Sequence, residues 1–372
     1  MKAYQSAGRK QTMCTFKINT LILICKFLMF SIVYGQGTVT QIELKENTFF
    51  NTSNNQIKIQ FIATSNLLDA ALNSINAINS LVKKENYRNK ISSFNNPATA
   101  DLGFSLESEI TLALRPILEK TKKTNTHKFS EIISSLIRTP GKNQMPGSIF
   151  NAGTVFNSLL SLVGNLAINE KKVTREDVDT FIYNTSKYFV QYEKLNDANI
   201  SFDGNVEKFN LKLQELQFDT REFMIDMVTL LYTNKTRQEL KQRSLEELLL
   251  KFLDKDILDT SFDNRRFLTE KQIIYYPGDG IKTAKEIVYG IQKLFNEYQK
   301  IYTQNYNEIR TVLLQTKELG KNINIKQVDQ AVHEFEQLFS ESKEADIVNL
   351  RLNTLFERLK YLDSTENMTN AR

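Results

Sequence analysis

Two cysteines, two histidines, five prolines and no tryptophan stand in a chain of 372 residues. Two Cys and two His offer neither a disulfide scaffold nor a zinc framework of the usual four-ligand kind. Both cysteines, Cys14 and Cys25, fall near the N-terminus, so the chain beyond them holds no thiol for a nucleophile, a disulfide or a metal. Proline is absent between Gly147 and Tyr276 and again after Pro277, which leaves long stretches with no strong helix breaker. Acidic residues are absent before Glu43. An apolar fraction of 41% with 24% charged residues is too apolar for a disordered chain.

The acid-free N-terminus has the parts of a secretory leader. Lys2, Arg9, Lys10 and Lys17 precede the apolar run Leu21–Cys25, Lys26 interrupts it, and Phe27–Val33 continues it. Val33 and Gly35 sit at the −3 and −1 positions of a cut before Gln36. A membrane anchor is the competing reading, but it needs about 20 apolar residues in one run and Lys26 divides this one. Residues 1–35 are therefore expected to be a signal peptide. Outside them the basic and acidic counts are equal at 43, so the net charge of +5 belongs wholly to the leader. The field that would draw nucleic acid goes with it. An N-terminal Gln36 and a thiol-free mature chain resemble exported proteins of some Gram-negative bacteria, which implies a periplasmic or extracellular location.

Residues 36–55 read as an irregular segment, with Val39, Ile42 and Leu44 followed by the polar cluster Asn51–Asn55. Residues 56–372 read as a helical bundle with a possible sub-boundary near 260–282. The warrant is a 3-4 spacing of apolar residues. One series runs Val178, Phe181, Thr185, Tyr188, Tyr192, Leu195, and a second runs from Val206 through Phe209 and Leu213 to Leu230. A third runs from Ala284 through Ile291, Phe295, Tyr298, Tyr302 and Asn305 to Leu319. The last runs from Val328 to Phe339, slips in phase near Ser342, and resumes from Val348 to Leu362. Such stripes keep one face turned to a partner helix over many turns. The spacing predicts helices over 174–200, 206–232, 283–319 and 326–363, in an all-α, elongated multi-helix bundle with coiled-coil-like helices. Thr174-x-x-Asp177, Ser244-x-x-Glu247 and Thr283-x-x-Glu286 supply helix starts. The first two series are in phase across Asn196–Asn205, but that stretch is poor helix material, and a turn is expected at Ser201–Asn205.

The chemistry-bearing candidates do not assemble into motifs. Gln330 stands where a di-iron Glu-x-x-His pattern needs Glu before His333, and Thr124 stands there before His127. His333, with Asp329 and Glu336 nearby, reads as surface pairing on a helix. Pro277-Gly278-Asp279-Gly280-Ile281-Lys282-Thr283 imitates a phosphate loop, yet Ile281 separates Gly from Lys and Tyr275 replaces the first Gly. Asp254, Asp256, Asp259 and Asp263 suggest calcium, but Leu258 and Asp259 occupy the fifth and sixth loop positions. No cofactor, metal or catalytic residue is expected.

Residues 143–169 are 27 positions without a charge, between Lys142 and Glu170. Ile149, Phe156, Leu159, Val163 and Leu166 follow 3-4 spacing there, with Gly147, Gly153 and Gly164 between them. The segment is either a core helix or a membrane-entering one. Its arrangement resembles α-helical pore-forming toxins, secreted bundles that conceal an apolar tongue; membrane contact through 143–169 is what that resemblance implies. Asn residues in the segment penalise a bilayer. The expected function is that of an exported scaffold, adaptor or envelope-associated assembly factor, engaging protein partners or copies of itself through helical faces and no nucleic acid. A membrane-active, pore-forming bundle is the alternative.

Overall fold

The computed structural model describes residues 39–82, 85–121, 126–138, 150–169, 171–232, 234–263, 280–343 and 346–370. Every element among them is helical. The expected leader, residues 1–35, and residues 264–279 of the expected sub-boundary near 260–282 lie outside the described residues. The chain divides into two units, Met1–Asn55 and Gln56–Arg372.

Helix α1, Val39–Val82, begins at the start of the segment expected to be irregular. That expectation is corrected: no Gly or Pro occurs from Val39 to Val82, and each Asn or Ser costs a helix only tenths of a kcal/mol. In the second unit α1 packs on a short-helix region, α7 (Arg237–Lys241), α8 (Leu245–Leu248), a π turn at Leu249–Leu253 and α9 (Lys255–Asp263). Phe61 meets the Phe262 ring edge-on at 5.4 Å, Ser65 Oγ donates to the Leu253 carbonyl, and Lys58 pairs with Asp259 at 3.3 Å.

The centre of the bundle is α6, Arg175–Leu231, a single helix of 57 residues. At 1.5 Å per residue it is about 85 Å long. The turn expected at Ser201–Asn205 is absent, because the poor helix formers there are packed. Phe202 and Val206 are fully buried, and the Ala198 carbonyl accepts a second bond from Asn305 Nδ2 at 3.0 Å. Intrinsic propensity over ten residues is worth a few kcal/mol at most, and burying one Phe offsets much of that.

Helix α10, Ile281–Thr316, lies along α6 and buries the predicted stripe, Phe295 included. It starts two residues before Thr283, so that residue is inside the helix rather than its cap. The polar members of the stripes are satisfied locally. Thr185, Thr220 and Thr316 donate to the carbonyls of Phe181, Leu216 and Val312 one turn back, so their methyls can face the core. The last stripe forms two helices, α11 (Ile325–Lys343) and α12 (Asp346–Asn370), where one had been expected over 326–363. The phase slip near Ser342 falls at the end of the first.

Helices α2 (Glu85–Phe94), α3 (Leu106–Lys120), α4 (Thr126–Arg138) and α5 (Ala152–Asn169) complete the bundle. α3 and α5 pack on α6, and α2 packs on α11. The loop before α3 docks through Gly103, whose φ of 76° and whose carbonyl, accepting from Asn324 N at 2.8 Å, suit only glycine. A Cβ there would stand 2.6 Å from Val328 Cγ2.

The start of α6 is a capping box. Thr174 N donates to Asp177 Oδ2 at 2.8 Å, and Asp177 N donates to Thr174 Oγ1. Lys120 of α3 donates to both carboxylate oxygens, at 2.7 and 2.8 Å. That Lys120 bond, with the Thr174 N–H, brings the Asp177 pKa down to about 2 from 3.8. A carboxyl depressed by folding stabilises the fold above its unfolded pKa and loses that contribution as pH falls through its folded one. Asp177→Asn should therefore lower the thermal midpoint at pH 7, with the gap to the parent closing between about pH 4 and pH 2. Thermal melts of both proteins across that range check it; a gap independent of pH would contradict it.

Candidate functional site

The uncharged segment provides the first candidate. Its described part is α5, an 18-residue helix. Asn151 caps it, its Oδ1 accepting from Thr154 N at 2.9 Å. Leu159 and Val163 are 0% exposed and Leu166 is buried, while Phe156 is half-buried against the Phe189 ring of α6 at 5.0 Å. Ile149 lies outside the described residues. The structure thus places four of the five candidate residues on one face, turned to the bundle. No described helix is long and apolar enough to cross a membrane.

The second candidate is the polar content of the core, which sequence reading missed. Glu109 of α3 is buried and accepts from Tyr188 Oη of α6 at 2.7 Å. Asn322 Nδ2, in the turn after α10, lies 3.5 Å from the same carboxylate oxygen. Beside it Lys187 Nζ donates to the Leu319 carbonyl at 2.6 Å. Burial first, and then the bond to Glu109, pushes the Tyr188 hydroxyl above its ordinary range. The phenol is held as a neutral donor to a carboxylate. The cluster ties α3, α6 and the turn after α10 together.

Further along α6, Tyr87, Phe202, Tyr302 and Phe335 form a block of rings with centroids 5.1 to 5.6 Å apart around Tyr87. Tyr87 Oη donates to Asn305 Oδ1 at 3.0 Å, and Asn305 in turn holds Ala198. Burial raises the Tyr87, Tyr298 and Tyr302 hydroxyls. A polar residue on an apolar seam sets the register of the helices it joins. Asn305 has that position between α2, α6 and α10. It stood in the predicted stripe, but its partners, 218 and 107 residues away, carried no local signal.

The sequence candidates for metal and phosphate chemistry do not come together. His333 is exposed on α11 and meets Gln337 at 3.1 Å. The carboxylates expected to pair with it are engaged elsewhere: Asp329 with Lys317, and Glu336 with Arg310 and Tyr306. Asp254 Oδ1 accepts from Asp256 N at the start of α9, and Asp259 is paired with Lys58. Among the described residues no group of His, Cys, Asp or Glu could hold a metal ion. Residues 273–279, which precede α10 in the sequence, lie outside the described residues.

The remaining candidate is the outward side of α6. No family model matches the chain, and no curated protein or solved structure matches it. The surface chemistry is therefore the source of any functional reading. The inward seam of α6 passes through Phe181, Tyr188, Leu195, Phe202 and Phe209. On the opposite side, Ile200, Leu211 and Phe218 are each more than half exposed. Spacings of 11 and 7 residues return to nearly the same angle on a helix, so the three lie in one row. Glu193, Asp197, Glu207 and Glu215 are exposed in the same row, and none forms an ion pair among the described residues. Single exposed apolar residues are ordinary; here three large ones repeat along one row of the same helix, with carboxylates between them. Reading the 3-4 pattern only for its inward stripe hid this second one.

Proposed function

We propose that this protein is an exported interaction scaffold, a helical bundle that works in the periplasm or outside a Gram-negative cell and presents helical faces to protein partners. The observation that carries the reading is the outward row Ile200, Leu211 and Phe218, held on one continuous helix. Those side chains are more than half exposed among the described residues and would lose water on docking, at about 25 cal/mol per Å² of apolar surface. The charge balance outside residues 1–35 supports a protein partner over nucleic acid. The leader-like residues 1–35 support export.

The test uses the tagged full chain in its native cell. Fractionation should recover it in the periplasm or medium, and co-purification should bring down a partner. The triple variant Ile200→Ser, Leu211→Ser, Phe218→Ser should keep the parent's circular dichroism and melting midpoint but lose that partner. A chain retained in the cytosol, or unaltered capture by the triple variant, would contradict the reading.

A further inference from the structure

Helix α12 carries a second outward row. Its inward stripe, Val348, Leu352, Leu355, Leu359 and Leu362, is buried. On the other side Ile347, Leu350 and Tyr361 are each more than half exposed. A shallow, open hollow lies on this face, lined by Leu350, Thr354, Glu357, Arg358 and Tyr361. The face carries one acid, Glu357, and three bases, Arg351, Arg358 and Lys360, so its net charge is opposite in sign to that of the α6 row. Arg351 and Arg358 are exposed and have no ion-pair partner among the described residues, while Glu357 is already bonded by Lys360 at 2.7 Å.

The two rows also match in spacing. Ile200 and Leu211 are 11 residues apart on α6, and Leu350 and Tyr361 are 11 residues apart on α12. Eleven residues are three turns, about 16 Å along either axis. Laid antiparallel, the helices set Ile200 against Tyr361 and Leu211 against Leu350. Arg351 then falls opposite residue 210, between Glu207 and Glu215, and Arg358 falls opposite residue 203, between Asp197 and Glu207. Of the lysines beside the α6 row, Lys194 and Lys212 reach to Gln315 and Glu297 on α10, and the exposed Lys208 falls opposite the uncharged Asn353. Parallel alignment of the same apolar pairs would put Arg358 opposite Lys208 and so opposes like charges.

We infer that the partner of the acidic, apolar row of α6 is the basic, apolar row of α12 on a second copy of this chain, docked antiparallel. The inference rests on the interaction-scaffold reading and names its partner. The contact is heterologous, one face meeting a different face, so each copy has one of each to offer. Assembly is steered by charge and weakens as salt rises.

The experiment uses the full chain with Cys14→Ser and Cys25→Ser, which removes the native thiols. Copies carrying Leu211→Cys are mixed with copies carrying Leu350→Cys under mild oxidation at high micromolar concentration, and the linked peptides are read by mass spectrometry. A 211–350 disulfide is expected. In parallel, Glu207→Lys with Glu215→Lys, and Arg351→Glu with Arg358→Glu, are run by sedimentation velocity at low salt. Each variant alone should sediment as a monomer, because one of its two faces now repels the other. Their mixture should associate, because the reversed α6 row of one variant meets the reversed α12 row of the other and their two unreversed rows remain complementary. A parent chain that stays monomeric, 211–211 or 350–350 links in place of 211–350, or a mixture that does not pair would overturn the inference. A monomeric parent that still loses its captured partner in the Ile200, Leu211 and Phe218 triple variant would overturn self-docking alone and leave the scaffold reading standing.

Discussion

Replacing Val163 with Asp should destabilise the protein by at least about 3 kcal/mol, the cost of leaving a charge buried without a partner. Val163 is fully buried on α5, one turn from the equally buried Leu159. It belongs to the apolar core, and α5 itself has no charged residue to compensate. Urea denaturation of the variant and the parent reads the effect, and an unchanged midpoint and slope would show that this face is not in the core. The milder Val163→Asn separates the two roles first drawn from the uncharged segment. If α5 is a core helix, the parent does not release dye from liposomes. Release by the parent, lost in a folded Val163→Asn variant, would favour the membrane-active alternative.

The second large effect is expected at Phe202→Ala, about 3–5 kcal/mol for truncating a buried ring. Phe202 lies 5.6 Å from the Tyr87 ring and 5.1 Å from that of Tyr302, in the stretch of α6 least inclined to be helical. Two residues earlier, Ile200 faces outward, and Ile200→Ala should change stability by no more than about 0.5 kcal/mol. The pair forms a contrast within one helix. Equal effects at both positions would mean that the inward and outward sides of α6 have been misassigned.

Much of the architecture was legible in the residues. The inward stripes of α6, α10, α11 and α12 follow 3-4 spacing, and the boxes at Thr174 and Ser244 close as their sequences propose. Ser201–Asn205 was not legible, because the Ala-Asn-Ile-Ser-Phe run reads as a turn until Phe202 is seen to be buried by rings from α2 and α10. The early start of α1 was hidden for a related reason. Asn51–Asn55 has the composition of a loop but contains no residue that breaks a helix. The candidate site was only partly legible. The apolar face of 143–169 could be read directly, and its turning inward over Leu159 and Val163 needed the fold. The bond from Tyr188 to Glu109 joins residues 79 apart, and no spacing rule finds such a pair. The outward row on α6 was available from the sequence, as three large apolar residues at i, i+11 and i+18 among carboxylates, once the inward stripe had been subtracted.

The claim on which the rest depends is that α6 is one straight rail, because only then do Ile200, Leu211 and Phe218 share a row. Spin labels at Tyr183→Cys and Phe218→Cys, both exposed positions, in a chain lacking Cys14 and Cys25, measure this directly. A continuous helix separates the two backbone positions by about 52 Å, and pulsed dipolar spectroscopy should give a narrow distribution centred near that value, broadened only by the label linkers. A helical hairpin turning at Ser201–Asn205 would bring them within roughly 10–15 Å, the spacing of packed neighbouring helices plus a small axial offset, and a distribution there would contradict the account.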